Sequence, residues 1–97
     1  MKEEFFVYIL SNERNTVVYT GITNDLYRRV IEHKMGKGSL FTSKYHCSKL
    51  VYYEVFLNPD IAIAREKQIK KYSRKKKETL VNKENLDWGD LFTRLGF

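Results

Sequence analysis

The chain opens with two short apolar runs, Phe5 to Leu10 and Thr16 to Thr20, made mostly of β-branched and aromatic residues. Ser11-Asn12-Glu13-Arg14-Asn15 separates them, a polar segment rich in turn formers, so the two runs predict strands joined as a hairpin. Asn24 can cap a helix that begins near Asp25, carries an acid in its first turn, runs to about Met35 and stops at Gly36. Gly36 to Lys49 reads as a loop, and Leu50 to Leu57 as a third strand. Asn58-Pro59-Asp60 then breaks the chain and opens a second helix of about Ile61 to Tyr72, followed by a basic helix from about Arg74 to Asn82. In the last stretch Leu86, Trp88, Leu91, Phe92 and Leu95 recur at roughly helical spacing, which predicts a segment docked on the core. Together these elements imply a small α/β domain, a three-stranded antiparallel sheet flanked by helices.

Composition narrows this picture without changing it. At 97 residues the chain fits one domain spanning 1–97, because two halves would each be too small to bury a core. A hydrophobic content of 42% and an aromatic content of 14% exclude a disordered chain. The apolar runs are strand-length, far short of the roughly 20 residues a membrane helix needs. A single Cys47 allows no internal disulfide and nothing at the N-terminus reads as a signal peptide, so a cytoplasmic location is expected.

Charge adds a candidate partner. Lysine and arginine number 18 against 12 acids, and eight of the basic residues fall between Arg65 and Lys77 with Glu66 the sole acid among them. Such a stripe is a footprint for a phosphate backbone, with Lys67, Lys70, Lys71, Arg74 and Lys75 the candidate contacts; a solvated helix face is the alternative.

Several polar residues break the apolar pattern. If Ser11 pairs with Thr16, Tyr8 lies opposite Tyr19 on one sheet face, either as packing or as two phenols of a site. On the first helix Leu26 and Val30 point to the core while Arg29 and His33, four apart, share the flank; they could overhang the sheet or bond loop carbonyls. Gly21, directly after the strand holding Tyr19, is a place where backbone can approach a ligand or simply turn. On the second helix Ile61, Ala62, Ile63, Ile69 and Tyr72 form one wide apolar arc with Glu66 projecting inside it. A buried carboxylate must meet a cation, which could be Arg29, a lysine or a divalent metal; a lone carboxylate with water and phosphate oxygens suits Mg²⁺ or Mn²⁺. His33, His46 and Cys47 are too few for a structural zinc site, and a Cys47/His46 nucleophile lacks a third member. Phe41, Lys44 and Tyr45 in the loop could stack a base or anchor the loop to the core.

Val7-Tyr8-Ile9, ten residues between Tyr8 and Tyr19, and then Tyr19-Thr20-Gly21 resemble the paired motifs of the GIY-YIG endonucleases. Asn24-Asp25-Leu26-Tyr27-Arg28-Arg29 followed by His33 is similar to the family helix that carries a catalytic arginine and a histidine four residues on. The similarity covers roughly Glu4 to Asn85, and Val7 and Thr20 depart from the motif without removing a functional side chain. The resemblance is strongest to the small stand-alone bacterial members. It implies a nuclease whose catalytic groups are Tyr8, Tyr19, Arg29 and His33, with Glu66 holding Mg²⁺ or Mn²⁺ and with Gly21 and Asn82 as accessory residues. It further implies DNA as the partner, branched or damaged DNA included and RNA the alternative, with no membrane and no obligate protein partner. In the implied chemistry Arg29 binds the charge on the scissile phosphate and a tyrosine, Tyr8 by preference, activates water with His33 taking or steadying its proton. A domain that binds nucleic acid through its basic helices without cutting it is the competing reading, and a module with a structural Glu66–Arg29 ion pair is another.

Overall fold

A computed structural model describes residues 3–96. Three strands, β1 (Phe5–Ser11), β2 (Val18–Thr23) and β3 (Lys49–Phe56), form an antiparallel sheet in the order β2-β1-β3, so the most apolar run takes the centre. The hairpin register differs from the expected one by two residues. Ser11 faces Val18 rather than Thr16, and Tyr8 faces Gly21. Asn12 is the cause: its side-chain Oδ1 accepts from the amides of Thr16 (2.8 Å) and Val17 (3.0 Å), drawing both residues into the loop. A shift of two preserves parity, so Tyr8 and Tyr19 still share a face.

The helices are α1 (Leu26–Lys34), α2 (Leu40–Tyr45), α3 (Pro59–Lys70), α4 (Arg74–Glu84) and the single turn α5 (Leu91–Arg94). Asp25, not Asn24, caps α1 by accepting from the Arg28 amide, which leaves no acid inside its first turn. Gly36 follows the helix with φ of 75°, the left-handed stop expected there. The segment read as a loop contains α2, capped by Ser39, whose Oγ accepts from the Thr42 amide at 3.1 Å. Near the C-terminus the expected helical docking is only partly realised: Trp88 is buried and Leu91 and Phe92 pack inward, but Leu86 and Leu95 are exposed. No helix among the described residues is long and apolar enough to cross a membrane.

Alternation along β1 divides the core. Val7 and Ile9 pack with Val51, Ala62, Ile69, Val81 and Trp88 under α3 and α4. Tyr8 and Leu10 face the other way, against Leu26 and Val30 of α1 and against Cys47 and Leu50. The apolar arc expected on α3 is narrower than read. Ala62 and Ile69 are buried, whereas Ile61 and Ile63, about 100° to either side of Ala62, are exposed. Glu66 nevertheless lies on the inward stripe, its side chain 13% exposed.

Candidate active site

Tyr8, Tyr19, Arg29 and His33 come together on the α1 face of the sheet. Tyr8 is fully buried, and its hydroxyl lies 3.0 Å from His33 Nε2. Ring centroids of Tyr8 and Tyr19 are 6.4 Å apart, and Tyr19 stands 5.6 Å from the His33 ring, so the three rings form one cluster. Gly21 makes this possible, because a Cβ there would stand 2.4 Å from the Tyr8 hydroxyl oxygen. Arg29 donates to Gly38 O at 2.7 Å and to Glu32 Oε1 at 3.0 Å, and its charge acts on the Tyr8 phenol.

Residues outside the sequence reading complete the cluster. His33 Nδ1 lies 2.9 Å from Thr42 Oγ1, which in turn is 2.9 Å from Ser39 Oγ. Gly38 lies so close to the imidazole that a Cβ would fall 2.0 Å from Nδ1. All three sit in the segment read as a loop, where the Ser39-x-x-Thr42 capping pattern was the signal available. Phe41 and Tyr45 anchor that segment only in part: they are 43% and 40% exposed, with Phe41 packed on Tyr19 at 5.9 Å. Cys47 is buried in the core and His46 is the left-handed C-cap of α2.

Burial dominates the electrostatics. It pushes the Tyr8 phenol up to about 12, opposed by the hydrogen bond and charge of Arg29 and aided by Tyr19. It pushes His33 down to about 4, with the Arg29 charge acting in the same direction and Glu32 against it. At neutral pH the resting pair is therefore a neutral phenol bonded to a neutral imidazole. For Arg29, burial works against the charge, but hydrogen bonds to Glu32 and Tyr8 outweigh it and hold the guanidinium protonated more firmly than usual.

Glu66 comes from a different helix. It belongs to α3, which packs on the opposite sheet face, over β1 and the edge strand β2. Its Oε2 lies 2.9 Å from Lys70 Nζ, and Arg29 pairs with Glu32, so the Glu66–Arg29 ion pair is not formed. Among the described residues no three His, Cys, Asp or Glu side chains gather as a metal cage. Glu66 would thus contribute one carboxylate, which fits an ion that keeps several waters and takes phosphate oxygens, as Mg²⁺ does; Lys70, half exposed, can swing aside. Asn82 accepts from Trp88 Nε1 at 2.6 Å, away from the tyrosine cluster.

The basic stripe separates into two kinds of residue. Lys67, Lys70, Lys71 and Lys75 are exposed. Arg74 instead bonds the backbone carbonyls of Asn15 and Thr16 and pairs with Glu78 at 2.9 Å, while Arg65 is held by Glu54 through Nε (2.8 Å) and its second terminal nitrogen (2.9 Å).

Known proteins resemble this chain over most of its length. A family model described as the GIY-YIG catalytic domain matches residues 4–80. A UPF0213 protein of Natronomonas pharaonis is 42% identical over 84 residues, covering 87% of this chain and 98% of that protein. A UPF0213 protein of Haloquadratum walsbyi is 39% identical over 80 residues, covering 82% and 89% respectively. The solution NMR structure of a UPF0213 protein from Bacillus halodurans superposes with a TM-score of 0.58 at 33% identity, covering 91% of this chain and 93% of that one.

Proposed function

Because the chain belongs to the GIY-YIG catalytic-domain family, we propose that it is a divalent-metal-dependent endonuclease that hydrolyses DNA phosphodiester bonds, branched or damaged DNA among its substrates. The observation that carries this reading is the buried Tyr8–His33 pair with Arg29 beside it, a phenol with its own proton acceptor 3.0 Å away. Tyr8 gives its proton to His33 Nε2, and the phenolate takes one from the attacking water. Arg29, which donates only, binds the charge that develops on the phosphate. From a starting value of about 12, lowering the Tyr8 phenol to pH 7 takes roughly 5 units, about 7 kcal/mol, which the positive charges gathered with substrate must supply. Glu66 would hold the divalent ion, Mg²⁺ or Mn²⁺, which when bound would neutralise charge on the phosphate and help the 3′-oxygen depart. α3 packs over β1 and the edge strand β2, so a phosphate that meets both Glu66 and Arg29 would have to lie at that edge, between the two faces of the sheet. Lys67, Lys71 and Lys75 extend the contact along the backbone, and the exposed rings of Phe41 and Tyr45 offer π-faces beside the cluster.

The position of Glu66, across the sheet and bonded to Lys70, favours a second reading in which the domain binds nucleic acid without cutting it. Incubation with linear, nicked, flapped and four-way-junction DNA in Mg²⁺ or Mn²⁺ decides between them. Cleavage lost in Glu66→Ala supports the enzyme; salt-sensitive binding that does not depend on Glu66, with no cleavage of any substrate, supports the binding module.

A further inference from the structure

We propose that Thr42 is a positioning residue that holds His33 as its Nδ1–H tautomer and so turns the Nε2 lone pair toward the Tyr8 hydroxyl. This deepens the nuclease reading, and its kinetic consequence rests on that reading. The inference comes from matching donors to acceptors. Thr42 Oγ1 has three polar neighbours, His33 Nδ1 at 2.9 Å, Ser39 Oγ at 2.9 Å and the Ser39 carbonyl at 3.3 Å, while a hydroxyl offers one hydrogen and two lone pairs. All three contacts are hydrogen bonds only if the carbonyl, which can only accept and also takes the Ser43 amide at 3.1 Å, receives the Thr42 hydrogen. Ser39 Oγ already accepts from the Thr42 amide at 3.1 Å and turns its own hydrogen to Thr42 Oγ1. One Thr42 lone pair remains, and it faces His33 Nδ1, which must then carry the ring hydrogen.

The far side of the imidazole leads to the same assignment. Arg29, whose charge acts on the phenol, is a donor without acceptor capacity and cannot take the Tyr8 hydrogen, so His33 Nε2, 3.0 Å away, is the acceptor within reach. The opposite tautomer would aim Nε2–H at the phenol oxygen and deprive the Tyr8 hydrogen of this acceptor. Tyr8, His33 and Thr42 are all buried, so an unmatched hydrogen there is costly and one arrangement prevails. Threonine also differs from the carboxylate that often stands behind a catalytic histidine, because it orients the ring without adding negative charge.

Long-range ¹H–¹⁵N correlation on metal-free, ¹⁵N-labelled protein at pH 7 reads the tautomer directly. The wild type is expected to show a protonated Nδ1 and a bare Nε2 at His33, Thr42→Ser to keep that signature, and Thr42→Val to lose it. In cleavage assays Thr42→Val is expected to lower kcat about 10–100-fold at unchanged KM, with Thr42→Ser restoring it. A wild-type His33 protonated on Nε2, or a Thr42→Val protein with the wild-type signature, overturns the proposal; the first of these needs no variant to fold. A wild type with protonated Nδ1 that cuts no nucleic acid supports the tautomer assignment and overturns the nuclease reading alone.

Discussion

Replacing Gly21 by alanine is expected to disable the site with one methyl group. Gly21 faces Tyr8 across the β1–β2 ladder, and the added Cβ would stand 2.4 Å from the phenol oxygen and 2.5 Å from Cζ. Favourable contact between such atoms begins near 3.5 Å, so the ring must retreat by about 1 Å. Tyr8 has no open space to retreat into, being 1% exposed among Leu10, Leu26, Val30 and Leu50. Overpacking of this kind costs about 1–3 kcal/mol, and stretching the Tyr8–His33 bond from 3.0 Å adds about 1 kcal/mol. For a domain of this size the sum corresponds to a fall in Tm on the order of 10–25 °C. With Tyr8 in its proposed role, a 1 Å displacement is also expected to lower the cleavage rate on the order of 100-fold. Thermal denaturation followed by circular dichroism, with single-turnover cleavage measured well below the variant's Tm, tests both numbers. A Gly21→Ala protein that melts and cuts like the wild type would refute the close approach on which the site is built.

Three further expectations can be checked with the purified chain. Glu66→Ala is expected to change stability in EDTA by less than about 1 kcal/mol, because its pairing with a half-exposed Lys70 is a helix i,i+4 contact; a loss of 3–5 kcal/mol, the cost of breaking a buried pair, would contradict its role as an available metal ligand. His33, lowered from 6.5 to about 4, binds its proton more weakly folded than unfolded, so stability is fully present above about pH 6.5 and falls by about 3 kcal/mol as pH drops through 4. Urea titrations from pH 7 to 3.5 on wild type and His33→Gln measure this, and equal slopes in the two proteins would contradict it. Neutralising Lys67, Lys71 and Lys75 to Gln together is expected to weaken DNA affinity uniformly across sequences and to reduce the slope of log K against log salt by up to about 2.7; an unchanged slope makes the stripe a solvated face.

The parts of this protein legible in its sequence are those governed by periodicity. Tyr8 and Tyr19 fall on one face because a strand repeats every two residues, and that conclusion survived a register wrong by two. Arg29 and His33 emerged together because they are one helical turn apart. What was hidden depended on side chains bonding to backbone. Asn12 claimed Thr16 and Val17 for the turn, Ser39 made a helix where glycines announced a loop, and Arg74 found carbonyls at Asn15 and Thr16 from the far end of the chain. Thr42 could not be singled out for the same reason: its meaning comes from His33, nine residues earlier, through a segment with no apolar period to betray its shape. The ion pair of Glu66 was readable in principle, since Lys70 is four residues on, but a run of lysines offers no basis for choosing among them.

The segment that carries Gly38, Ser39 and Thr42 is held to the body more by polar bonds, from Arg29 to Gly38 O and from His33 to Thr42, than by apolar packing. Thr42 and Cys47 turn inward, Phe41 leans on Tyr19, and Leu40 is 93% exposed. Thr42 and Gly38 are thus mounted on a segment that commits little apolar surface to the core, and such segments open at a fraction of the free energy that global unfolding needs. On warming, release of this segment would free His33 from its inner partner while the sheet, α1 and α3 remained intact. Inactivation and melting would then be separate transitions, with the proposed activity set by a sub-global equilibrium confined to about a dozen residues rather than by the stability of the domain.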